Sequence, residues 1–121
     1  FGVASFHGTD IDAMRMQLAW LHHHHLAPEA LRVRALPSHF QKMDLVPAAE
    51  LDRRAAMHGM PALIKAYLRL GGFVGEGAFV DRDFNTTDVC LLMDTQVMSE
   101  KHKSFYTRKH EGRDRANRDF A

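Results

Sequence analysis

The sequence predicts a mixed α/β fold, a partial one, with packed helices and a mixed sheet that holds an antiparallel strand pair toward its C-terminal end. Three observations predict it. Leu63, Ala66, Tyr67 and Leu70 fall at helical spacing and share one face. Gly71 and Gly72 follow at once, and glycine takes the left-handed position that closes a helix. Phe73 to Val80 and Val89 to Met93 then read as two apolar strands joined by the turn-forming stretch from Asp83 to Thr87. Gly75 and Gly77 interrupt the first strand, as at a bulge or where another group approaches closely.

The remaining elements follow in order. Phe1 to Phe6 is short and apolar and reads as a buried strand. Thr9 or Asp10 is placed to cap a helix from Ile11 to about His25, with Met14, Leu18 and Leu21 on its inner face and Trp20 beside them. Between Pro28 and Pro37, apolar Leu31, Val33 and Ala35 alternate with Arg32 and Arg34, which suits an edge strand or an arm laid over the domain. Ser38 to Val46 reads as a connector anchored by Phe40, Met43 and Leu45. Pro47 suits a first helical position, and Ala48 to Met57 is predicted as one helix with Leu51 inward. Thr95 to about Lys109 is predicted as a charged helix.

At 121 residues the chain has room for one domain. Its formal net charge of +1 gives no whole-chain argument for a polyanionic partner. Charge is unevenly placed, however. Residues 101–121 hold seven Lys/Arg and three Asp/Glu, a formal +4, leaving nine basic and twelve acidic groups, a formal −3, in 1–100. The 101–121 segment is therefore expected to be a basic, poorly ordered tail, open to an anionic membrane or an acidic carrier protein. No recognition motif points to nucleic acid. One cysteine, Cys90, excludes an internal disulfide framework and fits a reducing compartment. No apolar run reaches the length of a membrane span. The first residue is Phe, within a strand, and the chain is read as a fragment.

Two groups of residues invite a chemical reading. His22 to His25 close the first helix, and of the four only His22 and His25 share a face. One could act as a base near pH 7, or a pair could ligate metal; equally, histidines complement the dipole at a helix C-terminus. No further metal-ligand motif accompanies them, so no metal is assigned. Asp81, Asp83, Asn85 and Asp88 form an acidic cluster that could hold an ammonium group. Asp and Asn also serve turns, but Asp88 stands beside an apolar strand, where an unpaired carboxylate is costly.

Tyr67-Leu-Arg-Leu-Gly71, followed by an aromatic and an outgoing strand, resembles the late helix and strand of the GNAT acyltransferase superfamily. More specifically, the run LIKAYLRLGGFVGEGAFVDRDFNTTDV, with FGVASFHGTD, LHHHHLAPEALRVRALP and MDLVP, is similar to the bacterial ornithine N-acyltransferases, often labelled hemolysin-like. The resemblance covers Phe1 to about Met93 and makes 1–100 the C-terminal portion of a GNAT-like domain, the phosphate-binding loop lying upstream. It implies transfer of a 3-hydroxyacyl group from acyl carrier protein to the α-amine of ornithine, with no bound cofactor. It also implies a cytoplasmic location, with peripheral contact at the inner membrane. Tyr67 takes the place of the tyrosine that protonates the leaving thiolate, His22 and His25 become further catalytic candidates, and Asp81, Asp83, Asn85 and Asp88 become substrate-binding candidates. The alternatives are a non-catalytic hemolysin-like or membrane-surface module and, more distantly, a histidine metal-binding protein.

Overall fold

The computed structural model describes residues 2–93. The charged helix from Thr95 and the basic tail expected beyond it lie outside the described residues. β1 (Gly2–His7) leads through a turn and a 3-10 segment (Ile11–Met14) into α1 (Arg15–His25). An extended arm over 26–36 crosses to β2 (Phe40–Gln41). α2 (Arg53–His58) and α3 (Ala62–Arg69) follow, then β3 (Phe73–Val74), β4 (Ala78–Asp81) and β5 (Thr86–Leu92).

The five strands make one antiparallel sheet in the order β1-β5-β4-β2, with β3 also paired to β5. The last strand therefore lies between the first and its own hairpin partner. Gly2 to His7 of β1 face Leu91 to Thr86 of β5 without a break. On the other edge of β5, Phe79 to Asp81 pair with Asp88 to Thr86, and Phe73 and Val74 pair with Leu92 and Leu91. The expected antiparallel pairing is thus present, with β3 and β4 set apart by a bulge from Gly75 to Gly77. Gly77 has φ +80, and a Cβ there would run into the Phe40 ring. The bulge also admits the arm: Glu76 N donates to Val33 O at 2.7 Å, and Ala35 N donates to Glu76 O at 3.0 Å. The alternating residues of 31–35 are accordingly an arm, held by single parallel bridges at Leu26–Val74 and Arg34–Glu76.

The helices cover one face of the sheet. Ala4, Phe6, Val74, Ala78, Val89 and Leu91 point into the core against Met14, Leu18, Leu21 and Ile64. Leu18, Leu21 and Ile64 are fully buried. Each such side chain contributes about 1.5–3 kcal/mol relative to exposure. α3 ends as Gly71 predicts: φ is +86 there, Gly72 N donates to Tyr67 O at 2.8 Å, and Gly71 N donates to Leu68 O at 3.0 Å. These paired bonds satisfy two carbonyls that the last turn leaves free.

Four expectations are corrected. β1 is half-buried: Ala4 and Phe6 point inward while Val3 is 61% exposed, because among the described residues the helices cover only one face of the sheet. Neither Thr9 nor Asp10 caps α1 with its side chain; a 3-10 turn starts the helix and no cap bond forms. The helix expected over Ala48 to Met57 is split. A 3-10 turn (Ala48–Glu50) stops at extended Leu51, and Asp52 starts α2 afresh, its carboxylate accepting from Arg54 N and Ala55 N. That carboxylate satisfies first-turn donors better than a continuous helix through Asp52 would. Finally, the hairpin turn occupies 82–85, and Thr86, Thr87 and Asp88 belong to β5, where Thr87 is buried and donates to Gly8 O at 2.9 Å.

Candidate active site

Tyr67 lies on the inner side of α3, packed against the core. Its hydroxyl reaches the start of β1, 3.9 Å from where a Cβ on Gly2 would sit. It makes no hydrogen bond among the described residues. β1 is an outer strand of the sheet there, so one edge of it carries no strand partner among the described residues. A phenol hydroxyl can donate a hydrogen bond or a proton. The geometry thus places the phenol hydroxyl beside Gly2, on the helix-covered face of the sheet at the start of β1.

The face of the sheet that the helices leave open among the described residues carries the second group. Alternation along the strands places Val3 and Ser5 of β1, Asp88 and Cys90 of β5, and Phe79 and Asp81 of β4 on this face. Ser5 Oγ donates to Asp88 Oδ1 at 2.6 Å. Asp81 and Asp88 are diagonal neighbours in the β4–β5 register. The arm forms one wall of a 540 Å³ cleft over Val3, Phe79, Asp88, Val89 and Cys90, with Val33 and Leu36 opposite. At its rim Arg34 Nη1 and Glu76 Oε2 form an ion pair at 2.6 Å, and the guanidinium lies 4.3 Å above the Phe40 ring. Burial pushes the Cys90 thiol up from its usual pKa, so it stays protonated.

The acidic cluster of the sequence is divided. Asp88 stands over the cleft, paired with Ser5. Asp81 and Asp83 line a separate depression beside Ser38 to Gln41, where Asp81 Oδ1 also accepts from Phe84 N and so holds the hairpin turn. Asn85 supplies that turn with its one left-handed residue, φ 56, and its carbonyl accepts from Gly8 N at 2.7 Å.

The histidine run is helical, and its rings diverge. His22 meets His23 edge-on, His23 Nε2 contacts Val46 O at 3.1 Å, and His24 packs on Trp20 with centroids 4.1 Å apart. His25 lines a different cleft, together with Lys65, Leu68 and Arg69 of α3. Residues are about 100° apart around a helix, so Lys65 and Arg69 lie on the side of α3 away from Tyr67. The structure therefore does not bring His25 and Tyr67 together. Burial, then the neighbouring His24, lowers the His25 pKa, which favours its neutral form. No three metal-ligating side chains cluster among the described residues. No helix among them is long and apolar enough to cross a membrane.

Sequence reasoning passed over Ser5 and Glu76 as site residues; of Arg32 and Arg34, either of which could meet phosphate or carboxylate, Arg34 meets the Glu76 carboxylate. Ser5 had no visible signal, since its partner is 83 residues away. Arg34 was one of two alternating arginines, and only the bulge that receives the arm distinguishes it.

No protein-family model matches the chain, and no solved structure does. Curated relatives do. A Rhodobacter capsulatus protein named L-ornithine N(alpha)-acyltransferase is 75% identical over 113 residues, 93% of this chain and 43% of its own length. Proteins of the same name from Brucella abortus and Agrobacterium fabrum are 42% and 43% identical, over 88% and 87% of this chain and 38% and 36% of their own lengths. The chain thus spans less than half the length of the curated relatives it matches. Over nearly its whole length it is a homologue of a segment of the bacterial L-ornithine N(alpha)-acyltransferases.

Proposed function

We propose that the complete protein is an N-acyltransferase of the GNAT type. It moves a 3-hydroxyacyl group from acyl carrier protein to the α-amine of ornithine, and this chain supplies part of the cleft. The observation that carries the reading is the 75% identity to a protein of that name over 93% of the chain. The sheet supports it, with the last strand inserted between β1 and β4 and the outer edge of β1 left for the thioester.

In the reaction the neutral amine nitrogen attacks the thioester carbonyl carbon. The C–N bond forms, the C–S bond breaks, the nitrogen passes a proton to water, and the departing thiolate takes one from Tyr67, which regains it from water. Tyr67 is the proton donor to the departing thiolate, since its hydroxyl stands at the Gly2 end of β1. Asp88 is the counter-charge for the side-chain ammonium of ornithine. Its carboxylate faces the open side of the sheet and is oriented by Ser5. Asp81, its diagonal neighbour, adds negative potential on the same face. In this reading the enzyme meets its carrier in the cytoplasm, at or near the membrane that takes up the product.

The test is a transfer assay with the complete protein, 3-hydroxyacyl-acyl carrier protein and ornithine, following N-acylornithine by mass spectrometry. Product is expected with ornithine and acyl carrier together. Absence of product under conditions where a named relative turns over would overturn the reading. The isolated 121-residue chain is expected to give none, because the carrier's phosphate-binding loop is upstream in this fold.

A further inference from the structure

The cleft on the far side of α3 has no part in the chemistry above. It measures 560 Å³ and is built where α1, α2 and α3 meet. Arg53 comes from α2, and Lys65 and Arg69 come from successive turns of α3. Trp20, Met57 and Leu68 supply apolar surface between them. His24 and His25 complete the wall.

Its charge is one-sided. Among the described residues no carboxylate lines the cleft. Asp52, next to Arg53, is spent on the first turn of α2, accepting from Arg54 N at 3.0 Å and Ala55 N at 3.4 Å. No ion pair among the described residues engages Arg53, Lys65 or Arg69. Three like charges converging on one concavity repel each other, and a bound anion relieves that repulsion. Arginine and lysine together suit phosphate: guanidinium offers a planar fork of donors, and ammonium a compact charge. Trp20 contributes its ring to the cleft wall, while its Nε1 is buried away from solvent.

We propose that this cleft is a phosphate-binding site, with Arg53, Lys65 and Arg69 as the anion's partners and Trp20, Met57 and Leu68 as the apolar surface beside it. The phosphate is either free in solution or carried on a lipid headgroup. Both sources offer the same oxygens to the same three cations.

The experiment uses the complete protein in two arms. Calorimetric titration with inorganic phosphate reads the free anion. Co-sedimentation with vesicles containing phosphatidylglycerol, against vesicles of phosphatidylcholine alone, reads the anionic headgroup. The variant is Arg53→Gln/Lys65→Gln/Arg69→Gln, and the control is Arg15→Gln/Lys42→Gln/Arg82→Gln, which removes the same charge elsewhere. Binding in at least one arm is expected, weakened about tenfold or more in the cleft variant and little changed in the control. Binding in the phosphate arm identifies the free anion; binding confined to the vesicle arm identifies the headgroup. If the triple variant melts early, Arg53→Gln/Arg69→Gln, which alters two exposed side chains, carries the comparison. No binding in either arm, or equal weakening in cleft variant and control, overturns the proposal.

Discussion

Ser5 and Asp88 are 83 residues apart in sequence and face each other across β1 and β5, joined by a 2.6 Å bond from hydroxyl to carboxylate. The bond aims the carboxylate over the open cleft. Both side chains are partly solvated, so the contribution to stability is small, about 1 kcal/mol. Asp88→Asn keeps the shape and removes the charge. In the complete protein it is expected to raise KM for ornithine about tenfold or more while leaving the thermal midpoint nearly unchanged. Ser5→Ala should shift KM in the same direction, but less. A thermal midpoint lowered by many degrees with normal KM would assign Asp88 to the sheet instead.

Gly77 tests how the arm is received. With φ +80, any L side chain costs about 1–2 kcal/mol from backbone strain alone. Its Cβ would also meet the Phe40 ring, on which Arg34 rests at 4.3 Å. Gly77→Ala is therefore expected to lower stability by roughly 2 kcal/mol or more, measured by denaturant titration. Gly8 also has positive φ, +95, but a Cβ there meets nothing within 4 Å. Gly8→Ala should lose only the strain term, and the difference between the two isolates the packing of Phe40.

What could be read from the sequence was local. The helix ending at Gly71 and the paired strands around the hairpin depend on residues close in the chain, and both are present. The place of β5 between β1 and β4 was not legible, because nothing in Val89 to Met93 says which edges it will fill. The two-residue β2 is too short to show a period, and it is defined only by its pairing of Phe40 and Gln41 with Phe79 and Ala78 of β4. The split at Leu51 turned on one carboxylate, Asp52, which competes with a continuous helix. Site residues divide in the same way. Tyr67 was visible from its distance to Gly71, whereas the Arg53, Lys65 and Arg69 cleft is assembled from separate helices.

His25 predicts a pH dependence. Burial, followed by repulsion from His24, holds its folded pKa below the ordinary 6.5. Above the unfolded value the ring is neutral in both states and costs nothing. As pH falls below about 6.5, the unfolded chain takes up a proton before the folded one, so stability falls until the folded pKa is passed. His25→Gln removes this term. The variant should lose less stability than the parent between pH 7 and pH 5, in urea melts at fixed ionic strength. Parallel curves would show that other groups govern acid sensitivity.

Tyr67→Phe bears most directly on the chemistry. The substitution keeps the ring that packs against the core and removes the hydroxyl beside Gly2. That hydroxyl has no hydrogen-bond partner among the described residues, so folding should lose well under the 1 kcal/mol or so that a made bond contributes. If the phenol protonates the leaving thiolate, the single-turnover rate should fall about 10²- to 10⁴-fold. The loss should shrink for a donor thioester whose thiol has a lower pKa, because a better leaving group needs less help from an acid. That dependence separates proton donation from positioning: a ring that merely shapes the cleft would slow both donors equally. Near-normal turnover with a lowered thermal midpoint would make Tyr67 a packing residue, and the proton would have to come from water at the open edge of β1.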